Sequence, residues 1–506
     1  MRTVRGVSCT VLGKWVGQPY NPTMSRPFAV SVTVLTLILS ALSLDVSHAA
    51  EPQRYAFSVL ASSSQAESQL IVRVVQPAGE DCPSLSTTVA GAPVNVGLTT
   101  RQSPSNTGAS FASVTVCEIA APSNASPFSS ITYKDGTVAS VPTAIQPVTS
   151  LALIGDTGCR LVHNIQQECD SNRKWPLRVF AQQIAKAAPQ AVVHLGDYIY
   201  NEWPCEDDKI CGDVPRVTEG EPFLDSAASF EYSFLAPFAP VFSVSPILPL
   251  RGNQESCNVG GISYFYILDP QFGTSQTCDP IGRKAPEPIL QPYAVDLTTD
   301  QAKTLRLVAT DSAYANDQVV DSWSTKMRPK FKKAQRLAKA TPQPGNAWLL
   351  THRPIFAVRS TIQCGNVRCA PFSRDPNISM WVSADTAAAS YGTLKPYSAI
   401  ISGHVHLTQA VQVTGAPAQI VLGGGGTALS PTSGYKKPEF GVLATGRGQP
   451  MQSKFKPYPT VRQWTTKVVF SYAMAKPQQL TWEFQAKTVK DKTFAKCLLK
   501  GSKIKC

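Results

Sequence analysis

The sequence lacks several features that would assign it quickly to a common class of protein. None of its 13 cysteines is arranged in the paired C-x2-C spacing that structural zinc sites use. No segment repeats at a fixed period, which argues against a solenoid or a propeller. No nucleic-acid-binding motif accompanies the net charge of +13. Histidine is scarce, with six residues in 506, so the positions where it does occur carry information.

An apolar run of 17 residues, 28–44, lies between Arg26 and Asp45 near the N-terminus. The small residues at 47–50 that follow it form a site where a signal peptidase could cut. The run is short for a membrane helix, so we expect residues 1–50 to be a secretory signal peptide, with Met24 as a candidate true start. The mature protein would then be secreted or periplasmic and would keep no membrane span. An uncleaved anchor is the alternative.

Removal of residues 1–50 would remove Cys9 and leave 12 cysteines, an even number. In an exported protein an even count is typical of a disulfide framework. Proximity along the chain suggests six pairs: Cys82–Cys117, Cys159–Cys169, Cys205–Cys211, Cys257–Cys278, Cys364–Cys369 and Cys497–Cys506.

Basic residues outnumber acidic ones, 47 to 34. Residues 1–50 hold four basic residues and one acidic residue, so the mature chain would keep a net charge of +10. Seven lysines and one aspartate lie in residues 487–506, which we predict to be a basic C-terminal tail. Such a surface can attract anionic partners. A solvated face is the simpler explanation, and we expect no specific binding of nucleic acid.

Turn-forming residues and short apolar runs divide the rest of the chain into two regions. Residues 51–147 have short alternating runs at 55–60, 70–75 and 113–119, which is typical of a small all-β sandwich. From 148 to 486, strand-like runs alternate with loops and helices, including a helix over Met327–Ala340, which indicates an α/β domain. The predicted strands of this domain lie at residues 151–154, 192–195, 247–250, 305–309, 348–351, 399–402, 419–422, 466–472 and 480–486.

Two of these strands end in the same way. The strand at 151–154 runs into GDTG, which contains Asp156, and the strand at 192–195 runs into GDYIY, which contains Asp197 and Tyr200. In an α/β sheet, polar side chains collect beyond the carboxyl ends of the strands. Two carboxylates brought together there need a strong positive partner, such as metal ions.

Three later strands also end in side chains that can bind metals. Asn253 follows the strand at 247–250, His352 follows 348–351, and His404 and His406 follow 399–402. Three of the six histidines thus stand at strand ends, which packing alone does not readily explain. Carboxylate, imidazole, amide and phenolate groups suit zinc, iron and manganese. A carboxylate can bridge two such ions, and a metal pair can hold a hydroxide and clamp a phosphoryl group.

Together these motifs, GDTG, GDYIY, GN, LLTHRP and GHVH, resemble those of the calcineurin-like metallophosphoesterase superfamily. Within it they are most similar to the purple acid phosphatases, which use a tyrosinate at the position of Tyr200 as a ligand to ferric iron. The resemblance covers residues 150–426. It implies an α/β fold, a four-layer α/β/β/α sandwich of the metallophosphoesterase type, here preceded by a small all-β domain.

The resemblance also implies the ligands of two metal ions. An iron ion would be bound by four residues: Asp156, Asp197, Tyr200 and His406. A second, divalent ion (zinc, manganese or iron) would also be bound by four: Asp197, Asn253, His352 and His404. Asp197 would therefore bridge the two ions. A pair such as zinc or manganese, with Tyr200 unused, is the alternative.

One position departs from the family's pattern. The third motif of the family is GNHE, and the resemblance implies that its histidine helps to orient the phosphate and to protonate the leaving group. This chain has Gln254 at that position. A glutamine can donate a hydrogen bond but cannot act as a general acid. His163, seven residues after Asp156, could take over that role, and Glu202 is a second candidate. His194 lies within an apolar run and is predicted to be a core residue or a neighbour of the ligands.

The resemblance thus implies an exported, metal-dependent phosphoesterase, similar to an acid phosphatase, that hydrolyses small phosphate monoesters. The nucleophile would be a hydroxide held by the metals, with Gln254 and His163 as the catalytic side chains beside them. Two alternatives remain: a phosphodiesterase or nucleotidase with the same metal centre, and a catalytically weakened relative that binds anions. The glycine run 423–426 lacks the other residues of a P-loop, so we interpret it as a tight backbone passage near the metal centre.

Overall fold

Two large β-sheets, stacked face to face, form the centre of the protein, and helices cover their outer faces. The computed structural model describes residues 53–62, 68–104, 109–162, 165–205, 207–212, 214, 225–273, 276, 278, 288–317, 322–341, 346–357, 359–365, 368–374, 392–431, 461–479 and 481–506.

The strands up to residue 249 are β1 (Tyr55–Ser62), β2 (Ser68–Pro77), β3 (Ser84–Val89), β4 (Ala92–Gly97), β5 (Thr99–Thr100), β6 (Val114–Ala120), β7 (Phe128–Thr132), β8 (Val138–Pro142), β9 (Leu151–Ile154), β10 (Arg160–Val162), β11 (Ile165–Gln166), β12 (Ala191–His194), β13 (Tyr200–Asn201) and β14 (Ile247–Pro249). The later strands are β15 (Tyr293–Thr298), β16 (Thr304–Ala309), β17 (Ala347–Leu350), β18 (Arg359–Gly365), β19 (Arg368–Arg374), β20 (Ala399–Ser402), β21 (Thr408–Val413), β22 (Ala418–Leu422), β23 (Val461–Lys467), β24 (Tyr472–Pro477), β25 (Thr481–Lys487), β26 (Thr493–Lys500) and β27 (Lys503–Lys505). The α-helices are α1 (Leu177–Ala187), α2 (Asp208–Cys211), α3 (Ala227–Phe230), α4 (Ala236–Phe242), α5 (Gly261–Ser263) and α6 (Ser322–Lys339). Short π-helical turns follow α3 and α5, at Glu231–Leu235 and Tyr264–Leu268.

The larger sheet has eleven strands in the order β27-β26-β25-β24-β9-β12-β14-β1-β2-β6-β5. Its centre is parallel, and Val192 of β12 lies opposite Ala152 of β9 on one side and Ile247 of β14 on the other. Strands β9 and β12 are buried along their whole length, because both faces of the sheet are covered. Such strands have continuous apolar sequences, and the sequence predicted both to within one residue at each end.

The smaller sheet has seven strands in the order β15-β16-β17-β20-β22-β21-β23. Its four central strands, β16, β17, β20 and β22, are parallel to one another. All four were predicted from their apolar runs to within one residue at each end. The carboxyl ends of β17 and β20, like those of β9, β12 and β14, precede the polar motifs of the sequence.

Alternating side chains on the two sheets build three apolar layers. Leu153 of the larger sheet and Trp348 of the smaller one belong to the core between the sheets. On the outer face of the larger sheet, Ile154 packs in a cluster with Phe180 of α1 and side chains of α4. On the outer face of the smaller sheet, Phe331 and other side chains of α6 form a third cluster. The order of layers is helix, sheet, sheet, helix, which confirms the predicted α/β/β/α sandwich.

Helix α6 is longer than the sequence predicted. It begins at Ser322, five residues before the predicted start at Met327, and ends at Lys339. Pro329 lies on its exposed side, so the proline does not interrupt the buried stripe and does not mark the beginning of the helix. The buried residues recur every three or four positions: Ser324, Met327, Phe331, Ala334 and Ala338.

The strands of residues 53–147 are shared between two sheets. Strands β1, β2, β6 and β5 extend the larger sheet, in which Val59 of β1 lies opposite Ile247 of β14. Strands β4, β3, β7 and β8 form a separate four-stranded sheet. A small core that includes Val72, Leu85 and Ile131 joins the two sheets. A separate all-β domain over residues 51–147 therefore stays a prediction.

The lysine-rich segment at the C-terminus is folded into strands and does not form an extended tail. It contributes β26 and β27 at the edge of the larger sheet, where β26 pairs with β25. In β26, Cys497 and Leu499 are buried while Lys496 and Lys500 are exposed. The lysine count alone suggested a tail, because it ignored this alternation of exposed and buried positions.

One predicted strand is in fact two. The run at 466–472 was interpreted as a single strand, whereas β23 ends at Lys467 and β24 begins at Tyr472. The two strands belong to different sheets, since β23 pairs with β21 and β24 pairs with β9. The residues between them carry the chain from one sheet to the other.

Disulfide bonds join several of the strands and loops. Four of the predicted pairs are formed: Cys82–Cys117, Cys159–Cys169, Cys257–Cys278 and Cys497–Cys506. Cys205 is also disulfide-bonded, and Cys364 lies opposite Cys369 in the β18–β19 pair, but the side chains of residues 211, 364 and 369 lie outside those described. In the described parts of the chain, no helix is long and apolar enough to cross a membrane. The predicted signal peptide, residues 1–50, lies outside the described residues.

Candidate metal centre

The parallel strands of both sheets end at the same edge of the sandwich. The loops after β9, β12 and β14 meet there with the loops after β17 and β20. Hydrogen bonds connect these loops: the amide of Asp156 donates to the carbonyl of Gly196 (2.9 Å), and the amide of Gly403 donates to the carbonyl of His352 (3.0 Å). The structure brings all seven predicted ligands together at this edge: Asp156, Asp197, Tyr200, Asn253, His352, His404 and His406.

The turns that hold these side chains have unusual backbone conformations. Asp156, Asp197 and His404 all have positive φ angles, 58°, 60° and 69°. Residues other than glycine rarely adopt this left-handed region, and such strain concentrates at functional sites. The glycines beside them leave no room for a side chain. A Cβ on Gly252 would lie 2.1 Å from Oδ1 of Asp197, and a Cβ on Gly196 would lie 2.8 Å from Nδ1 of His352.

The first group of side chains surrounds the hydroxyl of Tyr200. The hydroxyl lies 2.6 Å from Oδ2 of Asp197, 3.1 Å from Oδ1 of Asp156 and 3.0 Å from Nε2 of His406. Potential ligand atoms of Asp156, Asp197 and His406 all lie within 4.8 Å of one another. Tyr200 is buried, and its oxygen adds a fourth donor atom to this group.

The second group surrounds the side-chain oxygen of Asn253. This oxygen lies 3.0 Å from Nε2 of His352 and 2.8 Å from Nδ1 of His404. Nε2 of His352 is also 3.2 Å from Oδ1 of Asp197. Ligand atoms of Asp197, His352 and His404 lie within 4.8 Å of one another. Both groups could hold a metal ion, and Asp197 belongs to both.

Acidic groups are crowded in this site. Burial, together with the neighbouring carboxylate of Asp197, raises the pKa of Asp156 to about 7. Burial and the same two carboxylates raise the pKa of Tyr200 well above its ordinary value. Burial alone would lower the pKa of His352, but the attraction of Asp197 raises it to about 9. The carboxylates and the phenol therefore favour a positive partner between them, and their oxygen and nitrogen donors fit metal ions of the iron, zinc and manganese type.

The three histidine rings are each held by a hydrogen bond on the side away from the centre. Nδ1 of His352 faces the carbonyl of Leu195 (2.8 Å), and Nδ1 of His406 faces the carbonyl of Ala428 (2.8 Å). Nε2 of His404 faces Oδ2 of Asp317 (2.9 Å). An acceptor on one nitrogen places the proton there and leaves the other nitrogen's lone pair directed at the centre. The rings are thereby oriented as metal ligands require.

Asp317 is a residue that the sequence did not point to. Its carboxylate, besides facing His404, lies 2.6 Å from Nη1 of Arg353. Arg353 directly follows His352, and its Nε donates to the carbonyl of Ala313 (3.2 Å). Asp317 lies eight residues beyond the end of β16, in a loop with no recognisable motif. The one feature that could have pointed to Asp317 is the position of β16, which ends at the same edge of the sandwich as the ligand-bearing strands.

Glu255 ties two of the turns together. Its buried carboxylate accepts hydrogen bonds from the amides of Asp197 (2.9 Å), Tyr198 (2.8 Å) and Gly252 (2.8 Å). Burial, with the charge of Asp197 nearby, raises the pKa of Glu255 to about 8. Glu255 thus fixes the loop after β12 against the loop after β14, which sets the distance between Asp197 and Asn253.

Gln254 lies at the rim of the centre. Its amide N–H donates to Oδ1 of Asp197 (2.9 Å), and its side chain hydrogen-bonds Glu202. Its side-chain oxygen is buried and has no hydrogen-bond partner among the described residues. His163, the other residue predicted to be catalytic, lies outside the described residues.

Two further predictions concern residues next to the centre. His194 is fully buried, stacks on Tyr198 with 3.9 Å between the ring centroids, and faces the hydroxyl of Thr157 (2.9 Å), which confirms it as a core residue. In the glycine run 423–426, a Cβ on Gly423 would lie 2.3 Å from the carbonyl of Val405 and 3.0 Å from Oδ2 of Asp156. The run is therefore a close backbone passage beside the ligands, as predicted.

Comparisons with known proteins bear on the fold. No family model matches the sequence, and a comparison with curated proteins found no match. Among solved structures, purple acid phosphatase PPD1 from seeds of yellow lupin (Lupinus luteus) is similar, with a TM-score of 0.50, 12% identity, and coverage of 88% of this chain and 74% of that one. PhoD is similar with a TM-score of 0.52, 11% identity, and coverage of 89% and 91%. At such identities the likeness shows the fold alone. The chain shares the fold of these two structures, and this is the fold that its sequence motifs predicted.

Proposed function

We propose that the protein is an exported phosphoesterase that hydrolyses phosphate monoesters at a centre of two metal ions. The observation that carries the proposal is the position of Asp197, whose two carboxylate oxygens face different groups of side chains. Oδ2 contacts Tyr200 of the first group, and Oδ1 contacts His352 of the second. A carboxylate in that position can bridge two ions about 3.5–4 Å apart.

Each group supplies four ligands. The first would hold iron through Asp156, Asp197, Tyr200 and His406, since a phenolate is a hard ligand that suits ferric iron. The second would hold zinc, manganese or iron through Asp197, Asn253, His352 and His404. Two bound ions would offset the charge of the phosphoryl oxygens and lower the pKa of the attacking water.

The chain's own side chains prepare the centre for a phosphoryl group. Glu255 fixes the spacing of the turns, and the carbonyls behind His352 and His406 orient the rings. The side-chain amide of Gln254 has two N–H bonds, so it can bind Glu202 with one and a phosphoryl oxygen with the other. Gln254 would orient the substrate without supplying a proton. His163 stays a candidate proton donor.

Leaving groups that depart without a proton should therefore be hydrolysed best. A general acid typically raises the rate of reaction by about 10²–10⁴-fold. An aryl phosphate needs this help least, because its leaving group departs without much protonation. The same consideration favours a second function: a catalytically weakened relative that binds anions at its metal centre. The observation behind this second candidate is that Gln254 stands where a proton donor is expected.

Export is supported by two observations. A 17-residue apolar run with small residues after it precedes the described chain, and the four disulfides require an oxidising compartment to form and persist. We propose that cleavage near residue 50 releases a secreted or periplasmic protein. N-terminal sequencing of the exported protein tests this, and an intact N-terminus on a membrane-bound product would contradict it.

The main test is turnover of an activated aryl phosphate, 4-nitrophenyl phosphate, by the purified mature protein, with metal content measured on the same sample. Asn253→Ala should abolish activity, because it removes the oxygen that both His352 and His404 face. Gln254→His should raise activity, most of all on alkyl phosphates. Asn95→Ala, an exposed substitution on β4, is the matched control and should change nothing.

Three outcomes would decide against the proposal. Two bound metals without turnover, and without rescue by Gln254→His, would favour the anion-binding relative. No bound metal under any loading condition would refute the metal centre itself. A phosphate diester hydrolysed faster than the monoester would favour a phosphodiesterase with the same centre.

A further inference from the structure

Arg160 lies beside the candidate metal centre, and neither the motifs nor the ligand set uses it. It begins β10, four residues after Asp156, and lies directly opposite Tyr200 of β13 in a parallel pair. Residues opposite each other in such a pair project their side chains to the same face of the strands. The side chain of Arg160 therefore leaves the chain next to that of Tyr200, which points into the centre.

The guanidinium of Arg160 has no partner in the part of the chain that the structure describes. The residue is half-buried, and its Nε is enclosed without a hydrogen-bond acceptor. A buried and a partly buried arginine elsewhere are both paired with carboxylates: Arg73 with Glu118 at 3.0 Å, and Arg353 with Asp317 at 2.6 Å. An enclosed guanidinium without an acceptor is costly, so an anion that the described residues do not supply would complete it.

Two contacts place the strand that begins at Arg160 beside the centre. The amide of Glu202 donates to the carbonyl of Leu161, the residue after Arg160 (2.9 Å). The hydroxyl of Tyr200, the residue opposite Arg160, lies 3.0 Å from Nε2 of the ligand His406.

We propose that Arg160 binds a phosphoryl oxygen of the substrate and thereby favours dianionic monoesters over monoanionic diesters. A guanidinium offers a planar pair of N–H donors that match two phosphate oxygens, and its charge does not vary with pH in the working range. A monoester has three non-bridging oxygens, of which the metal side of the centre can take two. A diester has only two, so Arg160 would have no charged oxygen left to bind.

Arg160 would also orient the phosphate, which is one of the two roles of the motif histidine that Gln254 replaces. Gln254 can donate a hydrogen bond but carries no charge, whereas Arg160 supplies a cation to the same substrate. The inference rests on the proposed phosphoesterase function, because it names the group that selects the substrate of that site.

The test compares Arg160→Ala and Arg160→Lys with Arg178→Ala, an exposed substitution on α1. Turnover of 4-nitrophenyl phosphate and of bis(4-nitrophenyl) phosphate is measured with the metal-loaded proteins. Removal of a hydrogen bond to a charged group lowers an equilibrium or rate constant that depends on it by roughly 10- to 100-fold. We expect Arg160→Ala to lower kcat/KM for the monoester by about that factor, and for the diester by less than about threefold. Arg160→Lys should recover part of the lost kcat/KM, since lysine keeps the positive charge but lacks the planar pair of N–H donors of a guanidinium.

Binding of inorganic phosphate is measured separately by isothermal titration calorimetry, with metal content determined on each sample. We expect phosphate to bind roughly tenfold more weakly to Arg160→Ala than to the wild type, while the metal content of the variant stays the same. Arg178→Ala should bind phosphate and metal as the wild type does. Equal losses on both esters, an unchanged phosphate affinity, or loss of metal from Arg160→Ala would each overturn the proposal. A wild-type protein without turnover would refute the phosphoesterase function, and the phosphate titration would then decide the role of Arg160 alone.

Discussion

Asp317 should control how tightly the second metal ion binds, although it is not itself a predicted ligand. Its carboxylate lies 2.9 and 3.1 Å from Nε2 of His404 and 2.6 Å from Nη1 of Arg353. Only about a tenth of the side chain is exposed, 11%, so water replaces these contacts poorly. Asp317→Asn keeps the shape of the side chain and removes its charge. The amide can also present N–H groups to His404 and shift the ring's proton toward the metal side.

The size of the effect follows from two contributions. Partners behind a ligating histidine are typically worth 10- to 100-fold in metal affinity or activity, which is about 1.4–2.7 kcal/mol. The substitution also leaves Arg353, whose side chain is 14% exposed, next to His404 without its counter-charge. Repulsion between that guanidinium and a bound cation places our expectation near the upper end of the range.

The assay separates the two metal sites. Competition with a chelator measures the affinity for the divalent ion, while the visible absorption of a tyrosinate–iron pair reports on the first group. We expect Asp317→Asn to lose the divalent ion and to keep the absorption band, because the described contacts of its carboxylate, with His404 and Arg353, lie beside the second group. The matched control is Asp296→Asn, which breaks an arginine–carboxylate pair with Arg306 on the smaller sheet. Equal affinities for wild type and Asp317→Asn, or loss of both ions together, would refute the reasoning.

Three more predictions follow from buried contacts. Glu118→Gln should lower the free energy of unfolding by about 3–5 kcal/mol in a urea titration, because it leaves two buried arginines without their shared carboxylate; a loss below about 1 kcal/mol would contradict this. Gly252→Ala should reduce the metal content, since its Cβ would lie 2.1 Å from Oδ1 of Asp197, whereas Gly97→Ala, with open space around it, should not. Tyr200→Phe should abolish the visible absorption band, and an unchanged spectrum would show that iron is not bound through this phenol.

The central strands could be predicted from the sequence because their burial is nearly complete. Strands β9, β12, β17 and β20 are covered on both faces, so their apolar runs are continuous and end where the loops begin. Elements at the edges were harder to predict. In β26, exposed residues, two of them lysines, alternate with the buried Cys497 and Leu499, and only the pairing with β25 shows that the lysines line the solvent face of a strand. Helix α6 was predicted to begin five residues too late, because Ser324, the one buried residue before Met327, is polar and does not extend the apolar pattern.

In the candidate site, too, residues next to buried strands could be predicted from the sequence, and residues placed by tertiary contacts could not. The seven predicted ligands belong to short motifs that directly follow apolar strands, so the order of the sequence already indicated their common edge. Asp317 follows no motif, and Arg160 stands shortly after GDTG without belonging to it. Asp317 reaches His404 across a loop, and Arg160 reaches the centre through the pairing of two very short strands, β10 and β13. Neither contact has a regular spacing in the sequence, so both required the tertiary structure.

The charges around the centre give a physical reason why a free arginine is useful there. Asp156, Asp197 and Tyr200 would together carry three negative charges as ligands, against five positive charges on a ferric and a divalent ion. A hydroxide nucleophile and a monoester dianion add three negative charges, so the occupied centre would hold one negative charge in excess. Burying an unbalanced charge in a site of low dielectric is unfavourable, and the guanidinium of Arg160 would offset it. With a diester, which carries one negative charge fewer, the same centre is balanced without Arg160, and this difference is the origin of the selectivity that we propose.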